Sequence, residues 1–285
     1  MKITLIGNGS SVSSKRLAQE AQELNVDFEV VSLESLVLSV QDDAFSLTNE
    51  HGEDVAHSDC YIFRGVGHAA QEVMTIAKYL IQHGATVIEE KCAFGAIMMD
   101  KLFLQATDNH VPTLDYAMVQ GKEALLSAAA SLEYPVVMKA TVGSMGKNVS
   151  LAKSQRQLLK LFKKLGPRVI LQHYVPADHD VRAIVIGGKY VGAYRRTRDD
   201  GEFRMNRPGN KKEPINLPAA AIQLCEIAAT SQNIEVAGVD MLEYNNKWYV
   251  LEINMSPQFS KFEECTGINV AKQIIEYAIE KTQSQ

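Results

Sequence analysis

The sequence predicts a mixed α/β and α+β protein of three successive lobes, and three features of the chain support this prediction. Residues 2–6 and 28–31 are short apolar runs on either side of a segment with helical periodicity, residues 13–25, as in a β-α-β unit with parallel strands. Two later stretches, residues 133–175 and 180–254, are rich in strand patterns and are joined by a short connector. A chain of 285 residues is long enough for two or three domains.

The first predicted lobe covers residues 1–95. After the β-α-β unit, residues 59–64 read as a third strand, residues 71–83 as a helix and residues 85–89 as a further strand. The glycine-containing turn at residues 7–11 follows the first strand as in dinucleotide-binding proteins, but the third glycine of that fingerprint is missing. A nicotinamide-dependent oxidoreductase is therefore the weakest alternative.

The second predicted lobe covers residues 96–175, and its elements alternate between helices and strands. They are a helix at 93–109, a helix at 123–132, a strand at 135–140, a glycine-bearing loop at 141–148, a returning strand at 149–152, a helix at 155–165 and a strand at 169–175. Pro112 ends the first of these helices, because proline lacks an N–H donor and restricts the residue before it.

Strand patterns dominate the third predicted lobe, residues 176–285. Its elements are a hairpin of residues 181–186 and 190–195 around Gly187-Gly188, a helix at 218–232, a hairpin of residues 238–244 and 248–254, and a helix at 268–282.

Composition argues against several classes of protein. The chain is 46% hydrophobic and 22% charged with a net charge of −5, which favours neither a nucleic-acid partner nor an anionic membrane surface. No apolar stretch approaches the ~18 residues of a membrane span. The four cysteines form no Cys-x-x-Cys pair, so neither a disulfide framework nor a zinc site is expected. We predict a soluble cytoplasmic protein.

The second hairpin of the third lobe carries a candidate metal site. Glu252 and Asn254 share one face of their strand because side chains alternate between faces. Whether Asp240 joins them depends on the turn: a three-residue turn over residues 245–247 places Asp240 opposite Glu252, whereas a two-residue turn would place it on the other face. Two carboxylates and an amide oxygen on one face would suit magnesium. A surface hairpin with solvated acids is the alternative.

We favour the three-residue turn, because asparagine tolerates left-handed backbone angles and Tyr244 would then lie opposite Trp248. In such a metal site, removal of Asp240 would relieve repulsion between acids, so a slight rise in thermal stability is expected.

Two further groups of residues suit an anionic ligand. Lys139 ends an apolar strand and precedes the loop with Gly143, Ser144 and Gly146, where backbone N–H groups approach phosphate oxygens closely; ordinary turn glycines are the alternative, and the pattern is no Walker A loop. Arginines are also dense in one short region, and guanidinium groups grip phosphate or carboxylate oxygens, although a solvated basic face accounts for some of them. These are Arg182, Arg195, Arg196, Arg204 and Arg207.

Taken together, these segments resemble the ATP-grasp superfamily and, within it, the RimK-type amino-acid ligases, over almost the whole chain. The segments that carry the resemblance are 180–182, 195–196, 202–206, 238–240, 252–257 and 266–271. The resemblance implies an ATP-grasp fold with an N-terminal Rossmann-like domain at 1–95, a central subdomain with a mobile flap at 96–175, and a C-terminal subdomain with the metal site at 176–285.

The resemblance also implies roles for individual residues. Asp240, Glu252 and Asn254 match the ligands of two magnesium or manganese ions, and Arg182, Arg195 and Asn254 are the candidates for catalysis. The positions that match nucleotide contacts are Lys101, Lys139, Gly143, Ser144, Gly146, Gln172, His173, Tyr174, Val175, Asp180, Arg204 and Asn206.

The implied activity is an ATP-dependent carboxylate–amine ligase that works through an acyl phosphate and adds an amino acid such as glutamate to the carboxylate of a small molecule, a peptide or a protein C-terminus. The sequence departs from the family pattern at two places. His173 stands where glutamate is usual, a change that a backbone contact to adenine would survive. Residues 258–261 replace a Gly-Leu-Glu-Gly-like run near the reacting end, and this second departure bears on the acceptor. A dipeptide ligase, a peptide-macrocycle ligase and a non-catalytic ATP sensor are the alternatives. A homo-oligomer is left open.

Overall fold

The computed structural model describes residues 1–66, 69–91, 111–140, 149–198 and 210–284. The predicted helix at 93–109 and the predicted loop at 141–148 lie outside these residues. The described part of the chain contains three larger sheets and one two-stranded sheet. None of its helices has both the length and the apolar character needed to cross a membrane.

The first sheet is parallel, as predicted. Its strands follow the order β2-β1-β5-β6. They are β1 (Lys2–Gly7), β2 (Asp27–Val31), β5 (Cys60–Arg64) and β6 (Thr86–Ile88), with helices α1 (Val12–Glu23) and α2 (Ala70–Gln82) as connections. Ser11 caps α1 by accepting a hydrogen bond from the backbone N–H of Ser14.

A small antiparallel hairpin between β2 and β5 is absent from the sequence-based prediction. Its strands are β3 (Leu36–Gln41) and β4 (Ala44–Asn49). Asp42 and Asp43, both with positive φ, form its two-residue turn. Polar side chains are interspersed along both strands and most of their residues keep contact with solvent, so the segment lacks the apolar signal of a core strand.

The second sheet is antiparallel and has the strand order β7-β10-β8-β9. Its strands are β7 (Tyr116–Gln120), β8 (Val136–Ala140), β9 (Val149–Ala152) and β10 (Arg168–His173), and its helices are α3 (Lys122–Leu132) and α4 (Gln155–Leu165). Buried residues of both helices, such as Leu125 and Leu158, share one core with the sheet. The edge strand β7 was not predicted.

The third sheet has five antiparallel strands in the order β13-β12-β11-β14-β15. They are β11 (His179–Ile186), β12 (Lys189–Thr197), β13 (Lys211–Pro214), β14 (Val236–Tyr244) and β15 (Lys247–Met255). One face packs on helix α5 (Ala219–Ser231) through buried residues that include Val181 and Val239. The other face is divided into an apolar half, which is buried, and a polar half, which carries the candidate site.

The apolar half of that face packs against two helices, α6 (Ser260–Thr266) and α7 (Val270–Gln283), where the sequence predicted one helix at 268–282. Gly267 separates them at a φ of 71°, and the Asn269 side chain caps α7. Helix α7 also packs against α1, so that Leu17 and Ile274 belong to one core. The first and third sheets are thereby joined.

Candidate active site

The turn between β14 and β15 has two residues, so the predicted three-residue turn is wrong. Asn245 and Asn246 both have positive φ, 51° and 59°, and Tyr244 pairs with Lys247 rather than with Trp248. Positive φ at both central residues is the requirement of a type I′ turn, whose twist matches that of the flanking strands. Asparagine adopts this conformation at a smaller energetic cost than most residues other than glycine, because its short polar side chain can form local hydrogen bonds.

A β-bulge in β15 nevertheless places Asp240 opposite Glu252. Met241 pairs with Val250, but the next residue of β14, Asp240, pairs with Glu252, so that Leu251 is an extra residue in the ladder. The bulge reverses which residues of β15 point to each face. The prediction that Asp240 and Glu252 are cross-strand partners is therefore confirmed, and Asn254 lies on the same face, opposite Gly238.

The hairpin of β11 and β12 is built in the same way. Its two-residue turn, Gly187-Gly188, is followed by a register shift between Ile184 and Val185. Because of this shift Arg182 lies opposite Tyr194, and Asp180 lies opposite Arg196. Without the extra residue, Arg195 would lie opposite Asp180 and would face the site.

Six side chains consequently form a polar row across one face of the third sheet. Arg182 pairs in register with Asp240 on β14, and Asp240 pairs with Glu252 on β15. The members of the polar row, from β12 to β15, are Arg196, Asp180, Arg182, Asp240, Glu252 and Asn254.

Four members of the polar row form a buried network of charges. Arg182 donates to both oxygens of Asp240, through Nε to Oδ1 and through Nη2 to Oδ2 at 2.7 Å. Arg196 donates in the same bidentate manner to Asp180, at 2.7 and 2.6 Å, and its Nη2 lies 3.0 Å from Asp240 Oδ1. Each of the four residues is at most 9% exposed. Two guanidinium groups are thus fixed in position by two carboxylates.

The charges of this network set the protonation of its members. Burial alone would raise the pKa of Asp240, but the charges of Arg182 and Arg196 outweigh it and lower the pKa to about 2. Burial keeps the pKa of Asp180 above its usual value despite the hydrogen bonds from Arg196. Because guanidinium groups contact Asp240, the expectation that removing this acid would relieve repulsion and raise stability is wrong.

The donor atoms at the end of the polar row fit a hard divalent cation. Asp240 Oδ2 accepts one of the hydrogen bonds described above and therefore keeps a lone-pair position. Glu252 is only partly buried. The Asn254 amide, oriented to satisfy both neighbours, accepts from Arg182 Nη2 at 3.0 Å and donates to Glu252 Oε1 at 2.9 Å. The described residues hold no group of three or more His, Cys, Asp or Glu suited to a metal, so the set is two carboxylates and an amide oxygen.

A second part of the predicted site lies where β10 leads into the connector. Lys139 of β8 donates through Nζ to Gln172 Oε1 at 2.5 Å. Two residues of the connector region are held by hydrogen bonds: the backbone N–H of His173 donates to Asp115 O at 2.8 Å, and the Tyr174 hydroxyl accepts from Arg198 Nη1 at 3.4 Å.

The connector is packed against the strand that carries Asp240. Val175 shares an apolar cluster with Leu114 and Leu242. Leu242 is two residues from Asp240 on β14, so both point to the same face. The structure therefore brings the connector residues and the polar row to neighbouring positions.

Arg195 is the predicted residue that the structure separates from the site. It pairs with Val181 and therefore points to the face opposite the polar row. Its Nη2 donates to Glu213 Oε2 at 2.9 Å. Both side chains of this pair are more than a third exposed, at 41% for Arg195 and 35% for Glu213. Arg196 occupies the inner position instead. Sequence alternation could have shown only that one of the two adjacent arginines faces inward.

Six predicted nucleotide-binding residues lie outside the described part of the chain. They are Lys101, Gly143, Ser144, Gly146, Arg204 and Asn206.

Comparisons with known proteins agree with this arrangement. Residues 101–278 match the family model of the RimK-like ATP-grasp domain. A protein named probable alpha-L-glutamate ligase from Legionella pneumophila is 28% identical over 296 residues, which cover 99% of this chain and 96% of that protein. A protein of the same name from Methanococcoides burtonii is 28% identical over 295 residues, with the same shares covered.

Solved structures share the fold. The ATP-grasp ligase PsnB, in complex with a variant of its minimal precursor, Mg and ADP, superposes with a TM-score of 0.76 at 17% identity over 98% of both chains. A RimK domain ATP-grasp protein from Sphaerobacter thermophilus gives a TM-score of 0.70 at 19% identity, over 98% of this chain and 100% of that one. The predicted ATP-grasp fold and the predicted class of ATP-dependent carbon–nitrogen ligase are confirmed: the chain belongs to the RimK-like ATP-grasp family.

Proposed function

We propose that this protein joins an amino acid, with glutamate as the first candidate, to the carboxylate of an acceptor in a reaction driven by ATP. The names of the curated relatives support glutamate as the amino acid. Two structural neighbours were solved with peptides: PsnB with its precursor, and the macrocyclase MdnC of Microcystis aeruginosa with the precursor peptide MdnA. These complexes support a peptide or a related carboxylate compound as the acceptor.

The single observation that carries the proposal is the polar row, in which acids and guanidinium groups alternate beside the connector. We assign Asp240, Glu252 and Asn254 as the residues that hold magnesium, with two ions as the proposed number. Magnesium supplies charge neutralisation for phosphate oxygens. The oxygen donors of the row suit it because they are hard ligands on one rigid sheet face.

The arginines of the polar row have a different task. Arg182 and Arg196 are held in place by bidentate hydrogen bonds before any substrate arrives. Their side chains therefore lose little conformational entropy when charge develops nearby. Arg182 also contacts Asn254. We infer that Arg182 steadies the negative oxygens of a phosphorylated carboxylate, and that Arg196 keeps Asp180 and Asp240 in register.

The proposed reaction has two steps. The acceptor carboxylate attacks the γ-phosphorus of ATP and releases ADP, which leaves an acyl phosphate. The amine of the amino acid then attacks the acyl carbon, phosphate leaves, and one proton is lost from the nitrogen. Phosphorylation is needed because a carboxylate oxygen is a poor leaving group. The chain needs no nucleophile of its own, so positioning and charge compensation carry the catalysis.

The remaining assignments complete the proposed site. We assign Lys139 and Lys101 to the nucleotide phosphates, the loop with Gly143, Ser144 and Gly146 to a cover over them, and the connector to the adenine. The assigned connector residues are Gln172, His173, Tyr174 and Val175, and the further nucleotide contacts are Asp180, Arg204 and Asn206. We also propose that the domain boundaries lie near residues 95 and 175.

The test is a screen for amine-dependent release of ADP. The purified protein is mixed with ATP, magnesium, single amino acids and a panel of carboxylate acceptors, and the products are identified by mass spectrometry. The expected product is heavier than its acceptor by one amino acid less one water. Asp240→Asn serves as the inactive control. Binding of ATP without ADP release from any combination would favour the non-catalytic sensor instead.

A further inference from the structure

Arg64 is a buried cation outside the polar row. It lies at the end of β5 in the first sheet and is 6% exposed. Its Nη2 donates to the carbonyl oxygen of Pro257 at 2.5 Å, and its guanidinium carbon lies 5.1 Å from the centre of the Phe259 ring. Within the described residues, no carboxylate lies within ion-pair distance of Arg64. Burial lowers its pKa to about 10, while the charge of Glu89 acts in the opposite direction.

Other arginines at comparable positions are neutralised. Arg182 and Arg196 are buried and each is bound to an aspartate. Arg16, which also joins the first lobe to the third, contacts Glu20 and Glu263. Burial of a charge without a counter-ion is costly, so a buried arginine that lacks one is a candidate for binding an anion.

Most of the hydrogen-bonding capacity of Arg64 is available. A guanidinium group carries five N–H donors. Among the described residues, the Arg64 guanidinium makes one hydrogen bond, to the carbonyl oxygen of Pro257. No nitrogen of Arg64 is among the fully enclosed polar atoms that lack a partner there. The small exposed part of the residue therefore includes guanidinium donors, which a ligand can reach.

The surroundings of Arg64 are those of a ligand site. Gly7 and Arg64 are register partners at the carboxyl ends of two parallel strands, the edge where ligands bind in open α/β sheets. A Cβ on Gly7 would lie 1.9 Å from the Arg64 carbonyl oxygen, so this close approach requires glycine. The Pro257 side chain packs on Gly238, and a Cβ added to Gly238 would lie 3.0 Å from Arg182 Nη1. Arg64 is thus linked to Arg182 of the polar row through Pro257 and Gly238.

We propose that Arg64 binds the second carboxylate of a dicarboxylate substrate, either the side-chain carboxylate of an incoming L-glutamate or the carboxylate of a dicarboxylate acceptor that is not activated. The proposal rests on the proposed function, since that reaction brings an amino acid with a spare carboxylate to the polar row. Arg64 would then fix the position of the substrate from the first lobe while the third lobe holds the reacting groups. The segment after Pro257, where this chain departs from the family pattern, would form the wall of the same pocket.

A purely structural role makes a different prediction. If Arg64 only ties the two lobes through Pro257, a neutral side chain that keeps a hydrogen-bond donor should preserve everything. Arg64→Gln is such a variant, and Arg64→Lys is its counterpart because it keeps the positive charge. Arg16→Met is the matched control, since it removes another arginine contact between the same lobes.

The experiment measures equilibrium binding by titration calorimetry, with the full-length chain and without turnover. The probes are L-glutamate, succinate and L-glutamine, the last of which lacks the side-chain carboxylate. We expect the wild-type protein to bind at least one of the two dicarboxylates more tightly than L-glutamine. Arg64→Gln should weaken that binding about tenfold or more. Arg64→Lys should weaken it only a few-fold, and Arg16→Met should leave the affinity for the dicarboxylate unchanged. The affinity for ATP should be unchanged in all variants.

Several results would overturn the proposal. These are equal affinity of Arg64→Gln and wild type for the dicarboxylate, failure of the wild type to bind either dicarboxylate, and an equal loss of ATP affinity in Arg64→Gln. If Arg64→Gln does not fold, equal binding of L-glutamate and L-glutamine to the wild type decides against it. Failure of the proposed function is separate, because it appears as absent ADP release in the wild type.

Discussion

Arg182 binds both carboxylate oxygens of Asp240, and the two residues are direct partners on neighbouring strands. The acid proposed to hold magnesium is therefore also the counter-ion of a buried arginine. Its removal affects stability as well as activity, and Glu252 differs from it in being more exposed.

Asp240→Ala and Glu252→Ala should both abolish ATP turnover, but only the first should strongly destabilise the fold. Loss of Asp240 leaves Arg182 without its counter-ion and removes one contact of Arg196, at a cost of about 3–5 kcal/mol. Loss of Glu252 should cost less, because its side chain is partly exposed. Urea unfolding and ADP release measure the two effects. Similar destabilisation of both variants would contradict the assignment of the counter-ion.

Arg195 and Arg196 should respond oppositely to replacement by alanine, although they are adjacent. Arg196 is buried and bound to Asp180, so its loss should cost about 3–5 kcal/mol of unfolding free energy and most of the activity. Arg195 is partly exposed and paired with Glu213, so its loss should cost at most about 1 kcal/mol. Full loss of activity in a stable Arg195→Ala protein would return this residue to the catalytic group.

Lys139→Met should raise the KM for ATP by about tenfold or more, because a charge-assisted contact to phosphate is lost. The KM for the amino acid should stay unchanged. Lys153→Met is the control, since this lysine is exposed and lies beyond the returning strand β9. Steady-state ADP release with each substrate varied in turn measures both constants. An unchanged KM for ATP would exclude Lys139 from the nucleotide site.

Asn246→Gly should stabilise the protein slightly and leave its activity intact. A type I′ turn requires positive φ at its second central residue, where glycine carries no steric cost. A gain of roughly 0.5 kcal/mol, or about 1–2 °C in Tm, is expected. Lys247→Gly is the contrasting variant and should destabilise, because Lys247 is a strand residue. Stabilisation by Lys247→Gly would indicate a three-residue turn.

Glu89 should make stability depend on pH. Burial, together with the charge of Glu235, raises its pKa to about 7, and its carboxylate accepts hydrogen bonds from the backbone of Val236 at 2.8 Å and Glu235 at 3.3 Å. Because the folded-state pKa lies above the unfolded value of 4.5, the stabilising contribution is complete below pH 4.5 and is lost as pH rises towards 7 and beyond.

Glu89→Gln, which mimics the protonated acid, should remove this dependence. The loss in the wild type between pH 4.5 and 7.5 should amount to roughly 1–3 kcal/mol at about 1.4 kcal/mol per pKa unit. Urea unfolding at several pH values measures it. The same slope in Glu89→Gln and wild type would show that another group is responsible.

The fold could be predicted from apolar periodicity wherever strands and helices are regularly patterned and buried. Helix α4 has the predicted bounds, residues 155–165, because its apolar stripe and its Ser154 cap are both visible in the sequence. Strand β7 and the hairpin β3–β4 were missed because their side chains are largely half-exposed and lack that contrast. Tertiary contacts rather than local pattern decide such strands.

The candidate site was predictable as a set of residues but not as a geometry. Strand alternation gives Glu252 and Asn254 a common face, yet the position of Asp240 depends on one extra residue. That residue was expected in the turn, and it lies instead at Leu251. In the neighbouring hairpin a similar irregularity directs Arg196 inward and Arg195 outward. A one-residue bulge has no strong local signature, and each bulge reverses the facing of every residue beyond it.

The shared packing of α1 and α7 affects how this chain folds during synthesis. Leu17 in α1 and Ile274 in α7 belong to one core but are separated by roughly 250 residues, which a ribosome takes about 10–50 s to add. Throughout that interval the apolar surface of α1 lacks its final cover. The nascent first lobe therefore leaves this apolar surface uncovered for most of translation, until α7 is synthesised.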